Sequence, residues 1–236
     1  MEEQKHISTA FDKDLSELNA MVQKLGSLAI TQFETAIDAL ATQHMKTLDH
    51  VISNDAKLDE LEAAINEKAV EVIALRSPHA RDLRQVLVAL KIATILERTG
   101  DYARNIANRT RVIAQAGNEN IPGVNIGRMG QVAQEMLRDV MQAYDGHDAK
   151  LALEVWHRDI EVDHMHTAFY KEVLASMARD PNFVATGAHL LFMAKNIERI
   201  GDYATGIAEQ VHFLVHGAVP EDSRPKADRT SKVVGV

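Results

Sequence analysis

The chain contains no cysteine, five prolines, a single tryptophan and only 5% aromatic residues in 236 positions. Without cysteine there is no disulfide, no thiolate nucleophile and no cysteine-ligated zinc or iron–sulfur centre. No apolar run approaches the ~20 residues that span a bilayer, so direct membrane insertion is not expected. The opening MEEQKHIST is acidic and polar where an export signal is basic and then apolar, so nothing in it suggests export. A P-loop, a dinucleotide fingerprint, a Gly-x-Ser-x-Gly elbow and a His-Glu-x-x-His helix are all missing, and nothing in the chain announces catalysis. Basic charge is also scarce: 26 Lys and Arg against 34 Asp and Glu give a formal net charge of −8. That balance argues against nucleic acid as the partner, since phosphate binding relies on clustered Lys and Arg. Metal cations or basic protein surfaces suit it better.

What is present is helical pattern. Few β-branched or aromatic runs are bounded by turn signals, and apolar residues recur at helical spacing. A first helix is expected from about Ser8 to His44, with Leu18, Val22, Leu25, Ala29, Phe33, Ala36 and Leu40 on one stripe and Gly26 as a tolerated flaw. A second carries Leu58, Leu61, Ile65, Ala69 and Val72 and ends before Pro78, with Asn54 and Asp55 placed to cap or interrupt it. A third runs from near Pro78 to about Ala116. The stretch from Gly117 to Gly123 reads as the joint, and the same order then returns: about Asn125–Asp145, Asp148–Ala178, and from near Pro181 to about His216. The fold class is therefore all-α, two tandem three-helix bundles related by an internal pseudo-twofold repeat. The units span residues 1–117 and 124–217, and 218–236 is expected to be a loose, flexible tail.

One segment is written twice. Residues 97–107 read ERTGDYARNIA and residues 198–208 read ERIGDYATGIA, 101 positions apart and identical at eight of eleven positions. The halves share little else beyond pattern, so this segment resisted the drift that altered the rest of the duplicated unit. On a helix, Glu97 and Asp101 fall on one face, as do Glu198 and Asp202. Ile92, Leu96, Thr99, Ala103 and Ile106 fall opposite, matched by Met193, Ile197, Ile200, Ala204 and Ile207. The carboxylates are thus expected to line a groove or outer surface, not the core.

The preceding helix of each unit carries a matching row: Asp55, Asp59 and Glu62 in the first half, Asp159, Asp163 and His166 at the same spacing in the second. If these helices pack antiparallel, four or five oxygen ligands converge in each half. Like charges at i, i+4 cost a few tenths of a kcal/mol per pair, which calls for a compensating cation with a preference for hard oxygen ligands. Arg98 and Arg199 offer an alternative as surface ion pairs worth about 0–1 kcal/mol. Gly100 and Gly201, each costing about 1 kcal/mol within a helix, read as points of close helix approach, and Tyr102 and Tyr203 as groove-edge residues with wet hydroxyls. Glu34/Asp38 and Glu135/Asp139 also repeat, but read as solvated. Glu154/His157 and Glu161/His164 have di-iron-like spacing, yet share one helix where such sites draw on two.

The doubled Glu-Arg-x-Gly-Asp-Tyr-Ala-x-x-Ile-Ala segment, Asp82-Leu83-Arg84 upstream of its first copy, and Asp-x-x-x-Asp on the preceding helices together resemble the PhoU family of phosphate-transport accessory and regulatory proteins. The likeness runs from Ile7 to about His216. The family's motif often ends Asn-Ile-Ala-Glu; here the first copy has Asn105 and Asn108, the second Gly206 and Glu209. The resemblance implies a non-enzymatic, often homodimeric cytoplasmic regulator that restrains phosphate uptake and phosphate-starvation signalling through the phosphate ABC transporter, by its ATPase subunit, and a sensor histidine kinase. It also implies metal ions (Fe, Mn, Mg or Zn) on Glu97, Asp101, Glu198 and Asp202, with Asp55, Asp59, Asp159 and Asp163 opposite; Glu62 and His166 distinguish an all-oxygen first site from a second site with imidazole. The alternatives are a metal-independent adaptor with acidic docking grooves, and a carboxylate-bridged metalloenzyme.

Overall fold

The computed structural model describes residues 2–42, 44–117, 124–221 and 226–233. Six helices follow in order: α1 Glu2–Thr42, α2 Met45–Arg76, α3 Ala80–Gln115, α4 Val124–Gly146, α5 Ala149–Arg179 and α6 Val184–His216. Short 3-10 turns lie at Pro181–Phe183 and Thr230–Lys232, and no strand occurs among the described residues. The sequence boundaries hold to within a few residues, apart from α1, which begins earlier, and α2, which begins at Met45, ahead of the Asn54 and Asp55 expected to cap or interrupt it. The expected joint at 118–123 lies outside the described residues.

Local chemistry explains the ends. Asp148 caps α5 by accepting from the Lys150 and Leu151 N–H groups at 3.0 Å. Gly217 closes α6 in the left-handed conformation, φ 77°. Ser77 takes the same conformation after α2, φ 46°, just before Pro78. Asn54 and Asp55 do not interrupt α2, because their side chains are engaged away from their own backbone. Asn54 accepts from Lys57 at 2.7 Å, and Asp55 is held by Arg104 on α3.

Each half is a three-helix bundle: α1 packs on α2 and α3, and α4 on α5 and α6. The bundles join along α3 against α6 and α1 against α4. The sequence stripes are the core. On α1, Leu18 through Leu40 are buried, and on α3 and α6 every aliphatic position opposite the motif carboxylates is fully enclosed. Gly26 proves to be a contact, not a flaw: a Cβ there would lie 2.7 Å from Met141 Cε on α4. Gly130 on α4 likewise admits Ile37, whose Cδ1 would sit 2.7 Å from an added Cβ. Small residues thus let α1 and α4 close the seam between the repeats.

Candidate functional site

The α3–α6 contact brings the two copies of the repeated motif face to face. Tyr102 and Tyr203 stack with ring centroids 5.5 Å apart at 23°. They are therefore joint residues, not merely groove edges. Burial, with the hydrogen bond its O–H donates to Tyr102, holds the Tyr203 hydroxyl above its ordinary pKa. An acidic groove lies on each side of this joint, one between α2 and α3, the other between α5 and α6.

In the first groove, Glu97, Asp101 and Glu62 are half-buried and Asp59 is exposed. They lie close enough for the α2 carboxylates to raise the pKa of those on α3. Burial first, then the Asp101, Glu62 and Asp59 carboxylates, push Glu97 up, and burial with Asp59 pushes Asp101 up. Thr94 Oγ1 donates to Glu62 Oε1 at 2.9 Å. Asp55 is buried, and its carboxylate is taken by the Arg104 guanidinium, which also reaches Asp101 Oδ1 at 2.5 Å. Gln32 Nε2 donates to Asp55 at 3.5 Å and to the Gly100 carbonyl at 3.4 Å. So at Asp55 the compensating cation is an arginine side chain. The carboxylates left to meet an added cation are Asp59, Glu62, Glu97 and, shared with Arg104, Asp101.

The second groove is deeper. Asp159, Asp163, His166 and Glu198 are only 1–5% exposed, and Asp202 is half-buried. The expectation that the motif carboxylates lie outside the core fails for Glu198, and a further segment covers Asp163 and His166 beside it. Where a loose tail was expected, residues 226–233 lie against α5. Ala227 N–H donates to Asp163 Oδ2 at 2.6 Å, and Arg229 N–H to Thr167 Oγ1 at 3.1 Å. Asp228 enters beside His166, with Oδ2 3.5 Å from its Nδ1 and 3.5 Å from Lys195 Nζ. Lys195 Nζ lies 2.6 Å from Glu198 Oε2.

These groups set each other's charge. Burial lowers the His166 pKa, with Lys195 acting in the same direction, and so favours the neutral imidazole that can ligate a metal. Burial raises Glu198, aided by Asp202 and Asp228 and opposed by Lys195. Burial pushes Asp228 up, but hydrogen bonds from Thr230, with the Lys195 charge, bring it below its ordinary value.

A cation fits the second groove on two observations. One ligand atom from each of His166, Glu198 and Asp228 falls within 4.8 Å of the others. His166 Nδ1, buried, has no hydrogen-bond partner among the described residues. In the first groove the fit rests on the all-oxygen donor set and its mutual repulsion.

Sequence reading missed Arg104, Lys195 and Asp228. The first two had a signal: at the 101-residue shift Arg104 faces Thr205 and Thr94 faces Lys195. Each half thus supplies one internal cation, at different positions along the helix. Asp228, in a polar stretch without period, had none. The secondary patterns stay outside the grooves. Glu34 pairs with Arg138 and Asp139 with Arg158, tying neighbouring helices, and Glu154, His157, Glu161 and His164 are all exposed. Both motif glycines mark close approach, since an added Cβ would lie 2.6 Å from Leu58 Cδ2 at Gly100 and 3.1 Å from Asp159 Oδ1 at Gly201.

Fold and grooves together define a class: an all-α protein built from a duplicated three-helix unit that presents one acidic motif in two matching grooves. The family model described as PhoU domain matches residues 22–110 and 126–211. The chain belongs to the PhoU family. It is 40% identical over 227 residues to the phosphate-specific transport system accessory protein PhoU homolog of Caulobacter vibrioides (strain NA1000 / CB15N), covering 96% of this chain and 99% of that one. To the protein of the same description in Rhizobium meliloti (strain 1021) it is 37% identical over 231 residues, 98% of each chain. The crystal structure of PhoU from Pseudomonas aeruginosa superposes with TM-score 0.86 at 30% identity, covering 88% of this chain and all of that one. That of the phosphate transport system regulatory protein PhoU from Streptococcus pneumoniae gives 0.82 at 27%, covering 89% and 99%.

Proposed function

We propose that this protein is a non-enzymatic cytoplasmic regulator of phosphate homeostasis. It restrains phosphate uptake and phosphate-starvation signalling by contacting the ATPase subunit of the phosphate ABC transporter and a phosphate-sensing histidine kinase, and it works as a homodimer. Relatives described as phosphate-specific transport system accessory proteins, matched over nearly the whole chain, support the setting. The observation that carries the mechanism is the pairing of acidic grooves around the one motif both halves share. No helix among the described residues is long and apolar enough to cross a membrane, in keeping with a partner that docks onto the transporter.

Bound cations neutralise the grooves and fix the packing of α2 on α3 and of α5 on α6, setting the surface the partners recognise. Asp59, Glu62, Glu97 and Asp101 hold the first ion, and Asp163, His166, Glu198 and Asp202 surround the second, with Asp159 at its floor. Asp55 joins the first set only if Arg104 swings away. A cation can shift partner affinity only by binding one packing arrangement more tightly than the other.

Arg104 and Lys195 favour a second reading, since each already neutralises its groove from within the chain. Basic segments of a partner would serve in the same way, without metal. The test is binding to the purified transporter ATPase subunit, with Mn2+ and with chelator, for wild type and Asp101→Asn/Asp202→Asn. Cation-dependent binding lost in the variant supports the metal-set surface. Binding that is salt-sensitive but unmoved by chelator establishes the docking reading, and no binding under any condition refutes the proposed partner.

A further inference from the structure

Asp228 lies outside both copies of the motif and outside the matched family domain, which ends at residue 211. It nevertheless reaches the buried side chains of His166 and Glu198. Three contacts hold its segment there, Ala227 N–H to Asp163, Arg229 N–H to Thr167 and Lys195 Nζ to the Asp228 carboxylate, while within the segment the Thr230 N–H returns to Asp228 Oδ1 at 2.9 Å. Asp228 Oδ1 is thus used in shaping its own turn, while Oδ2 points at His166 and Lys195.

We propose that Asp228, carried into the second groove by the C-terminal segment, completes with His166 and Glu198 a three-ligand site for a divalent transition-metal cation such as Zn2+, so that cation binding and tail docking are one event. The inference rests on the metal reading of the grooves and deepens it. Two observations carry it: the ligand atoms lie within 4.8 Å of one another, and His166 Nδ1 is enclosed without a hydrogen-bond partner among the described residues. One imidazole and two carboxylates suit Zn2+, Mn2+ or Fe2+, whereas the all-oxygen first groove suits Mg2+ or Ca2+ as well. The two halves therefore differ in ion preference despite their common motif.

Lys195 is the stand-in. Its ammonium occupies the space between Glu198 and Asp228, and its side chain is 41% exposed, so it can swing into solvent when a cation enters. Lys195 and a metal compete for the same two carboxylates. The tail then becomes a readable sensor of the second groove: docked weakly through Lys195, and clamped through a metal.

The test uses the full chain carrying Glu97→Gln/Asp101→Asn, which silences the first groove. Zn2+ binding is measured by calorimetry with and without Asp228→Asn, and amide hydrogen exchange is followed across residues 226–233. Asparagine still caps the Thr230 N–H, so the turn is retained while the charged ligand is lost. The expected result is a tenfold or greater loss of Zn2+ affinity in Asp228→Asn, slower exchange of 226–233 on adding Zn2+ to the parent only, and tighter Zn2+ binding by Lys195→Gln. Unchanged affinity in Asp228→Asn, or exchange at 226–233 indifferent to Zn2+, overturns the tail's role and leaves the metal reading standing. Absence of Zn2+ binding by the parent overturns the site itself, and wild-type protein that also binds no Mn2+ or Mg2+ refutes the metal reading with it.

Discussion

Replacing Glu97 by glutamine should stabilise the metal-free protein, although Glu97 belongs to the most strongly retained segment of the chain. Its carboxylate is raised above the usual pKa by burial and by Asp101, Glu62 and Asp59, with only Arg98 opposing. A carboxyl with a raised folded-state pKa takes up protons on folding, so its contribution is most favourable at low pH and is lost as pH rises through the folded-state value. At neutral pH the charge is a liability. Three like-charged neighbours at a few tenths of a kcal/mol each, screened by partial exposure, amount to about 0.5–1 kcal/mol. For a chain of this size that is about 1–4 °C in Tm. Calorimetry of wild type and Glu97→Gln in chelator at pH 7 should show the variant melting higher, with the gap narrowing as the pH is lowered and the wild-type carboxyl protonates. Excess Mn2+ should reverse the order, because only the intact ligand set gains binding free energy. A variant that melts lower in chelator, or a gap indifferent to both pH and Mn2+, would refute the claim that repulsion stored in this groove is there to be relieved by a cation.

Arg104→Met strands the Asp55 carboxylate, which is 5% exposed, with Gln32 as its main remaining donor. Urea unfolding should show a loss of about 1–3 kcal/mol, largely recovered by adding Asp55→Asn; an unchanged midpoint would contradict the pairing. Gly100→Ala places a Cβ 2.6 Å from Leu58 Cδ2, so overpacking of about 1–3 kcal/mol should outweigh the ~1 kcal/mol helix gain. The same change at Gly201 should cost less, and Tm values would rank the two. His147 sits at φ 50° between α4 and α5, and His147→Gly should raise stability by roughly 1 kcal/mol; destabilisation would show that the histidine side chain has a role of its own.

Helix number, order and buried faces were legible because helical periodicity and core burial are the same physical fact. The stripe from Leu18 to Leu40 and the aliphatic face opposite Glu97 are buried as the spacing requires. The site was legible only in part. A helical wheel finds which side of a helix carries Asp101, but not what a neighbouring helix sends across to it. Arg104 could as well have faced water, and only the packing of α2 on α3 directs it to Asp55. Tyr102 and Tyr203 lie 101 positions apart in sequence, and their stacking depends on how α3 meets α6. Asp228 was unreadable because residues 226–233 carry no hydrophobic period. Backbone N–H groups and one carboxylate dock them, interactions that leave no pattern in a sequence.

The central claim is that the two acidic grooves are cation sites. It is tested most directly by elemental analysis after exhaustive dialysis without chelator, comparing wild type with Glu97→Gln/Asp101→Asn and Glu198→Gln/Asp202→Asn. The account predicts stoichiometric metal in the wild type, with each double variant losing the share of its own groove. Metal-free wild type, or metal retained in full by both variants, would contradict it.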